Sequence, residues 1–230
     1  MEMRVVVWLP FRGDGGPRDR IFRRVLEEVE ELDLEVIVVD SGDEPFSIAR
    51  SWNLAAERSG RWDAAVMWGA DFLLSPPWAI LEAIEWMADE PGAPGVIFGF
   101  EEAMRCSAAD TELLLEHRPV RFRPDALPPG GPRLVSRGVW ETVGGYDPRF
   151  IGWGHEDRVF RHSIDVLGFT VDRVPGKMFN LWHPRRNQTP GSPYYSNQDR
   201  NHRMLEEFKA ITSPDALRAE ISRIRNGRPA

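Results

Sequence analysis

Two short apolar runs with one amphipathic stretch between them constrain this chain more than any other feature. Arg4 to Leu9, through Val5, Val6, Val7 and Trp8, is a run of the kind that forms a strand buried on both faces. Pro10-Phe11-Arg12 ends it, and Gly13-Asp14-Gly15-Gly16-Pro17 reads as a loop. Arg18 to Leu32 then places Ile21, Phe22, Val25, Leu26 and Val29 at helical spacing, and Leu34 to Val39 is a second strand, stopped by Asp40-Ser41-Gly42-Asp43. Strand, helix, strand is a βαβ unit, and open α/β sheets bind ligands beyond the carboxyl ends of such strands. Pro10, Arg12 and Asp40 therefore fall on one candidate rim. Asp40 can accept a hydrogen bond from a base or ribose, with Asp43 the second candidate; a turn-forming acid is the plain alternative for either.

The pattern continues with a helix over Ser47 to Ser59 and a strand over Ala64 to Trp68, closed by Gly69-Ala70-Asp71. Ser75-Pro76-Pro77 reads as the start of a helix over 75–90 with Ser75 as its cap. Val96 to Phe100 is a further strand, and the Pro and Arg content of 101–129 predicts a partly irregular insertion of the kind that decides partners. Gly130-Gly131 leads into a strand reaching Ser136, followed by a helix near Arg137 to Val143. Strands are expected over Phe169 to Val174 and Met178 to His183, and helices over Tyr194 to Phe208 and from Ser213-Pro214 onward. With 230 residues and 42% hydrophobic content, this is enough for one α/β core, so a single domain is expected.

Composition excludes several classes. A net charge of −7 argues against a nucleic-acid partner. No apolar run approaches the roughly 18 residues needed to span a bilayer, and the N-terminus shows no signal-peptide pattern, so a cytoplasmic protein without a transmembrane anchor is expected. The single cysteine, Cys106, fits a reducing compartment and reads as an inert thiol. Phosphate-loop, nucleophile-elbow and paired-cysteine zinc patterns are missing from the sequence.

The stretch from Gly144 to His183 carries the chemistry. Gly152 and Gly154 bracket Trp153, freeing the backbone to turn while an aromatic face is presented. Glu156 and Asp157 then open a segment with Val159, Phe160, Ile164 and Leu167 at helical spacing. Acids in a first helical turn are favoured by the dipole and by capping, which accounts for the pair but for neither Trp153 nor the glycines. One strand further on stands His183, followed by the basic, proline-containing run Arg185 to Pro193. That run reads as a lid that closes over bound substrate, and arginines suit a diphosphate.

Gly152-Trp153-Gly154-His155-Glu156-Asp157, preceded by Gly144-Gly145-Tyr146-Asp147 and by Gly130-Gly131, resembles the C-terminal half of β-1,4-galactosyltransferases and their bacterial relatives. Leu9-Pro10-Phe11-Arg12 is similar to their P-F-R segment, and Phe46, Ala49, Arg50 and Asn53 to a second motif. The resemblance implies a GT-A-type, Rossmann-like fold, with a mixed, mostly parallel sheet flanked by helices. Residues 1–100 would form the nucleotide-sugar half, 101–212 the acceptor and metal half, and 213–230 a C-terminal helix.

It further implies transfer of a sugar from a nucleotide-diphosphate donor, most readily a UDP-sugar, to a hydroxyl acceptor with inversion. In that scheme Asp157 is the general base and Glu156 orients the acceptor. Trp153, Gly131 and Gly154 contact the acceptor, while Pro10, Phe11, Arg12, Asp40, Phe46, Arg50, Asn53, Arg185 and Arg186 contact the donor. Asp71 and His183 hold Mn2+ or Mg2+ with the diphosphate oxygens. The chain departs from the family's D-x-D pattern, because Gly69 stands where the first acid is expected. Rival readings are a retaining polypeptide-type transferase, which would carry Asn at 157, a non-catalytic nucleotide-sugar or glycan binder, and a sugar-1-phosphate nucleotidyltransferase. The last lacks its glycine-rich signature.

Overall fold

The computed structural model describes residues 3–90, 92–152, 154–184 and 193–227, with the side chains of 193–196 left aside. The first βαβ unit forms as the apolar runs dictate: β1 (Val5–Pro10), α1 (Pro17–Glu30) and β2 (Glu35–Val39), with β1 and β2 parallel. Val6 to Leu9 are wholly buried, and α1 turns Ile21, Val25 and Val29 into the core. Then follow α2 (Ile48–Arg58), capped by Ser47, whose side chain accepts from the Arg50 N–H, and β3 (Ala64–Met67), every residue of which is buried.

The expected helix from Ser75 is corrected here. Phe72–Ser75 is a strand, β4, and the helix α3 starts four residues later (Ala79–Asp89) with Trp78 at its cap. Strand β4 is a four-residue segment stabilised by its partner rather than by its own periodicity, so no local pattern announces it. The stretch 101–129 is likewise more regular than expected at its start, with β6 (Glu102–Arg105) and α4 (Ala108–Leu115), the latter closed by a reciprocal Ser107–Asp110 capping box.

The remaining elements are β5 (Val96–Phe98), β7 (Arg133–Ser136), α5 (Arg137–Val143), α6 (Glu156–Val166), β8 (Val171–Arg173), β9 (Lys177–Asn180), α7 (Pro193–Lys209) and α8 (Pro214–Asn226). The main sheet runs β2-β1-β3-β7-β5-β8. Strand β7 alone is antiparallel to its neighbours, so the sheet is mixed and mostly parallel. A second sheet of order β4-β9-β6 sits beside it.

Register fixes what meets at the rim. Trp8 of β1 lies opposite Met67 of β3, and Met67 opposite Arg133 of β7. The carboxyl ends of β1, β2 and β3 and the start of β7 therefore share one edge, bringing together Pro10 to Arg12, Asp40, Gly69 to Asp71 and Gly130 to Arg133. In the small sheet Phe72 pairs with Asn180, and the ladder extends one step as the Leu181 N–H donates to the Asp71 carbonyl at 2.8 Å. Two residues later comes His183.

Burial also settles the state of Cys106. It lies in the core, and desolvation pushes its thiol up to about 12, which makes it the inert thiol expected. Among the described residues no helix is long and apolar enough to cross a membrane.

Candidate active site

Asp71 and His183, expected as a metal pair, face one another: His183 Nε2 stands 3.5 Å from Asp71 Oδ2. The β4–β9 ladder places them, because Asp71 immediately precedes one strand and His183 follows the other. His183 Nδ1 lies 3.0 Å from the Pro184 carbonyl, which can only accept, so Nδ1 carries the proton and Nε2 is the nitrogen turned to the carboxylate. Nε2 and the Asp71 carboxylate are close enough to share one cation. The residues thus fit a divalent ion that takes its other ligands from a bound diphosphate. Among the described residues no group of three or more metal-binding side chains assembles.

Gly69 is fitted to its place. A Cβ there would meet the Phe72 ring at 2.6 Å, so an aromatic edge fills the space into which a first acid would extend.

The donor residues at the ends of β1 and β2 form a tight cluster. Arg12 makes a two-pronged bond to Asp40, at 2.6 and 2.7 Å, reaches the Asp43 carbonyl at 2.7 Å, and lies over the Phe46 ring at 5.3 Å. The guanidinium holds the Asp40 carboxyl below the usual carboxylate range. Phe11 stacks on Phe22 at 3.8 Å, and Pro10 is buried. Arg50 is turned to Asp43, 2.5 Å away, and to the Pro148 carbonyl. Asn53 does something the sequence did not suggest: its amide donates to the Tyr146 carbonyl at 2.8 Å and accepts from the Tyr146 N–H at 2.9 Å. A cavity of about 520 Å³ opens between α2, residues 148–149 and the end of α8, and none of Asp71, Asp157 and His183 lines it.

The loop entering α6 is held in a left-handed conformation at Gly152, Gly154 and His155, with φ of 75°, 110° and 76°. Glycine tolerates this at two of the three positions. The loop is anchored from several sides: Gly152 bridges Ser47, the Ser47 hydroxyl donates to the Phe150 carbonyl at 2.8 Å, and the Asn201 amide donates to the Ile151 carbonyl at 3.0 Å. Glu156 belongs to the same anchorage. Expected to orient an acceptor, it is instead buried, with Oε2 accepting from the Gly154 N–H at 2.9 Å. Burial, and then the charge of Asp157, push its carboxyl well above the usual range. Gly131 is also directed inward: with φ of 128°, its missing Cβ would meet Phe100 and Met178 at 2.8 Å, so this glycine serves close packing of the core. Trp153, Arg185 and Arg186 lie outside the described residues.

Asp157 keeps about a third of its side chain exposed, and its Oδ1 accepts from Tyr146 Oη at 2.5 Å and from Arg133 Nη2 at 2.8 Å. Arg133 and Tyr146 are themselves buried and hydrogen-bonded to each other. Neither was singled out from the sequence. The available signal was Arg133 itself, an arginine on the same face as Val135 of a buried strand, where a cation needs an anionic partner. Oδ2 of Asp157 sits where a side chain at 130 would be: a Cβ on Gly130 would come within 2.2 Å of it.

Residues 129–186 match a family model described as the N-terminal domain of galactosyltransferase. The catalytic domain of Drosophila β1,4-galactosyltransferase 7, solved with xylobiose, is 16% identical, with a TM-score of 0.57 over 93% of this chain and 84% of that one. A second structure of that enzyme, holding manganese, UDP-Gal and xylobiose, is 15% identical at the same TM-score, over 86% and 80%. Glucosyl-3-phosphoglycerate synthase from Mycobacterium tuberculosis, with Mn2+, UDP-glucose and phosphoglyceric acid, is 16% identical, with a TM-score of 0.51 over 90% and 78%. A comparison with curated proteins gives no match. At these identities the likeness is one of fold, and the chain has the fold of the GT-A glycosyltransferases. The stretch that matches the family model holds Gly130, Arg133, Asp157 and His183.

Proposed function

We propose that this protein is a metal-dependent glycosyltransferase that moves a sugar from a UDP-sugar to a hydroxyl acceptor with inversion. The observation that carries the reading is the convergence of Asp71 and His183, drawn from two strands of the small sheet to within 3.5 Å on the ligand-binding rim. These two side chains would hold Mn2+ or Mg2+, which when bound supplies positive charge to the diphosphate as it leaves. The Arg12–Asp40–Phe46 cluster forms the floor for the nucleotide, so residues 1–100 serve mainly the donor. Residues 101–212 contribute the base and His183, and the last helix packs on the core through Leu217 and Ile221. A single buried cysteine is consistent with work in the cytoplasm.

Asp157 acts as the general base. The acceptor O–H bond breaks toward its carboxylate, and the freed oxygen pair bonds to the anomeric carbon. The bond from that carbon to the diphosphate oxygen breaks, its electrons leaving with the diphosphate. Such base assistance is typically worth ~10²–10⁴-fold. An amide at 157 could not do this, which separates the reading from a retaining transferase. Glu156 contributes by fixing the loop through Gly154.

The test is a thermal-stability screen with UDP-galactose, UDP-glucose and other nucleotide sugars, with and without Mn2+. Binding to the native state at 100 times Kd adds about 2.7 kcal/mol to stability. A metal-dependent rise with a UDP-sugar is expected, and no rise with any nucleotide sugar would sink the proposal. The Phe72 ring in place of a first acid favours one second reading, a UDP-sugar binder without turnover. Release of UDP from the stabilising donor excludes it.

A further inference from the structure

We propose that Arg133 and Tyr146 are positioning residues for the reaction: they hold Oδ1 of Asp157 so that Oδ2, beside Gly130, is the oxygen that takes the acceptor proton. The inference rests on the reading of Asp157 as general base. It starts from an asymmetry in the carboxylate. Both donors, Tyr146 Oη at 2.5 Å and Arg133 Nη2 at 2.8 Å, are on Oδ1, and among the described residues no donor is on Oδ2. A carboxylate held by two convergent donors on one oxygen cannot rotate about its Cβ–Cγ bond without losing both.

The donors are themselves fixed. Arg133 is 3% exposed, bonds the Gly131 carbonyl through Nη1 at 3.1 Å, and lies near the faces of Phe98 and Phe160 at 5.8 and 5.6 Å. Tyr146 stacks on Phe160 at 4.7 Å with an interplanar angle of 8°, and Asn53 grips its main chain on both sides. Burial raises the Tyr146 hydroxyl well above its ordinary value, so it stays protonated and donates. The charged or titratable groups facing Asp157 are Arg133 from β7, Tyr146 from the loop before α6, and Glu156 on α6. Burial raises the Glu156 carboxyl, and Asp157 is the acid in ion-pair contact with the buried Arg133, at 2.8 Å.

A chain needing only a counter-ion for Arg133 would gain by burying both carboxylate oxygens against donors. Here one oxygen is saturated and the other is left open. That is the arrangement a base requires: fixed in place through one oxygen, with the other left without a donor among the described residues.

The experiment compares two nucleophiles on UDP-galactose with Mn2+: water, which must lose a proton, and azide, which has none to lose. In Tyr146→Phe and Arg133→Lys, hydrolysis should fall about tenfold or more in kcat with KM for UDP-galactose changed less than about twofold. Azide should give the glycosyl azide at the wild-type rate. Equal losses with water and azide would mean that the two residues merely support packing, and would overturn the inference, as would unchanged hydrolysis in Tyr146→Phe. If Arg133→Lys does not fold, Tyr146→Phe alone decides the matter, because it removes one hydroxyl and no ring. Asp157→Asn in the same series separates the two levels. Full hydrolysis in that variant removes the general base itself, whereas its loss alongside an active Tyr146→Phe removes the positioning role alone. A wild type that releases no UDP under these conditions removes both.

Discussion

Replacing Gly130 with alanine should disable turnover while leaving the fold and the donor site nearly intact. Gly130 does not have a left-handed φ, so its backbone accepts alanine without strain. The added methyl is the whole perturbation. It would lie 2.2 Å from Asp157 Oδ2 and 2.8 Å from its Cγ, about 1 Å or more inside ordinary contact. The carboxylate must move, and it is tied on Oδ1 to Tyr146 and Arg133, so the shift costs those bonds or pushes the loop. A misplacement of ~1 Å at a reacting group costs on the order of 10²-fold, or about 2.7 kcal/mol of barrier. The stability cost is smaller, about 1–2 kcal/mol, because the displaced atom ends a side chain. Single-turnover release of UDP from the donor, set beside donor affinity by calorimetry, measures the first, and urea melts measure the second. Gly138→Ala is the control, since a Cβ there meets nothing within 4 Å. Turnover in Gly130→Ala within about threefold of wild type, with donor affinity kept, would show that Oδ2 is not the reacting oxygen.

Three further outcomes are expected. Asp71→Asn and His183→Ala should each abolish the Mn2+-dependent part of the UDP-induced rise in Tm while leaving the metal-free Tm within a few degrees; a full rise in either variant would remove that residue from the metal site. Gly69→Asp, which writes the missing acid back into the sequence, should destabilise by about 1–3 kcal/mol, because its Cβ overlaps the Phe72 ring. Phe72→Ala should relieve that penalty in a double-mutant cycle, and additive losses would refute the overlap. Stability should also fall as pH rises between about 5 and 8 through Glu28, which burial raises from 4.5 to about 7 while its Oε1 accepts from the Leu74 N–H at 2.7 Å. A raised carboxyl binds its proton more tightly when folded, so its stabilisation is present below the unfolded value and is lost as pH passes the folded one, on the order of 3 kcal/mol. Glu28→Gln keeps an acceptor for Leu74 and should flatten that part of the slope in urea melts at several pH values; an unchanged slope would remove Glu28 as its source.

The difference between what could and could not be read from the sequence is one of range. Strands β1 and β3 are buried on both faces, so their residues are apolar without interruption and they stand out in any window. Strands β4 and β6 are four residues long and exist because β9 lies between them; a pairing partner about 105 residues away for β4 and 75 for β6 leaves no local periodicity to read. The residues of the site divide in the same way. Asp71, Asp157 and His183 announced themselves by their setting among glycines, tryptophans and strand ends. Arg133 and Tyr146 were given no role of their own, because an ion pair spanning 24 positions is visible only once β7 and α6 have docked. Glu156 misled in the opposite sense. Its place beside Asp157 suggested a shared task, yet one step along a helix turns a side chain by about 100°, which sends Glu156 under the loop and leaves Asp157 on the rim.

The grip of Asn53 on Tyr146 makes a mechanical linkage across the protein. Asn53 rides on α2, and the main chain it clamps carries the phenol that bonds Asp157. Any tilt of α2 relative to α6 must stretch the two amide hydrogen bonds or drag the phenol, and with it the carboxylate. The helix α2 and the carboxylate of Asp157 are thus parts of a single lever, and their alignment is set by the fold itself.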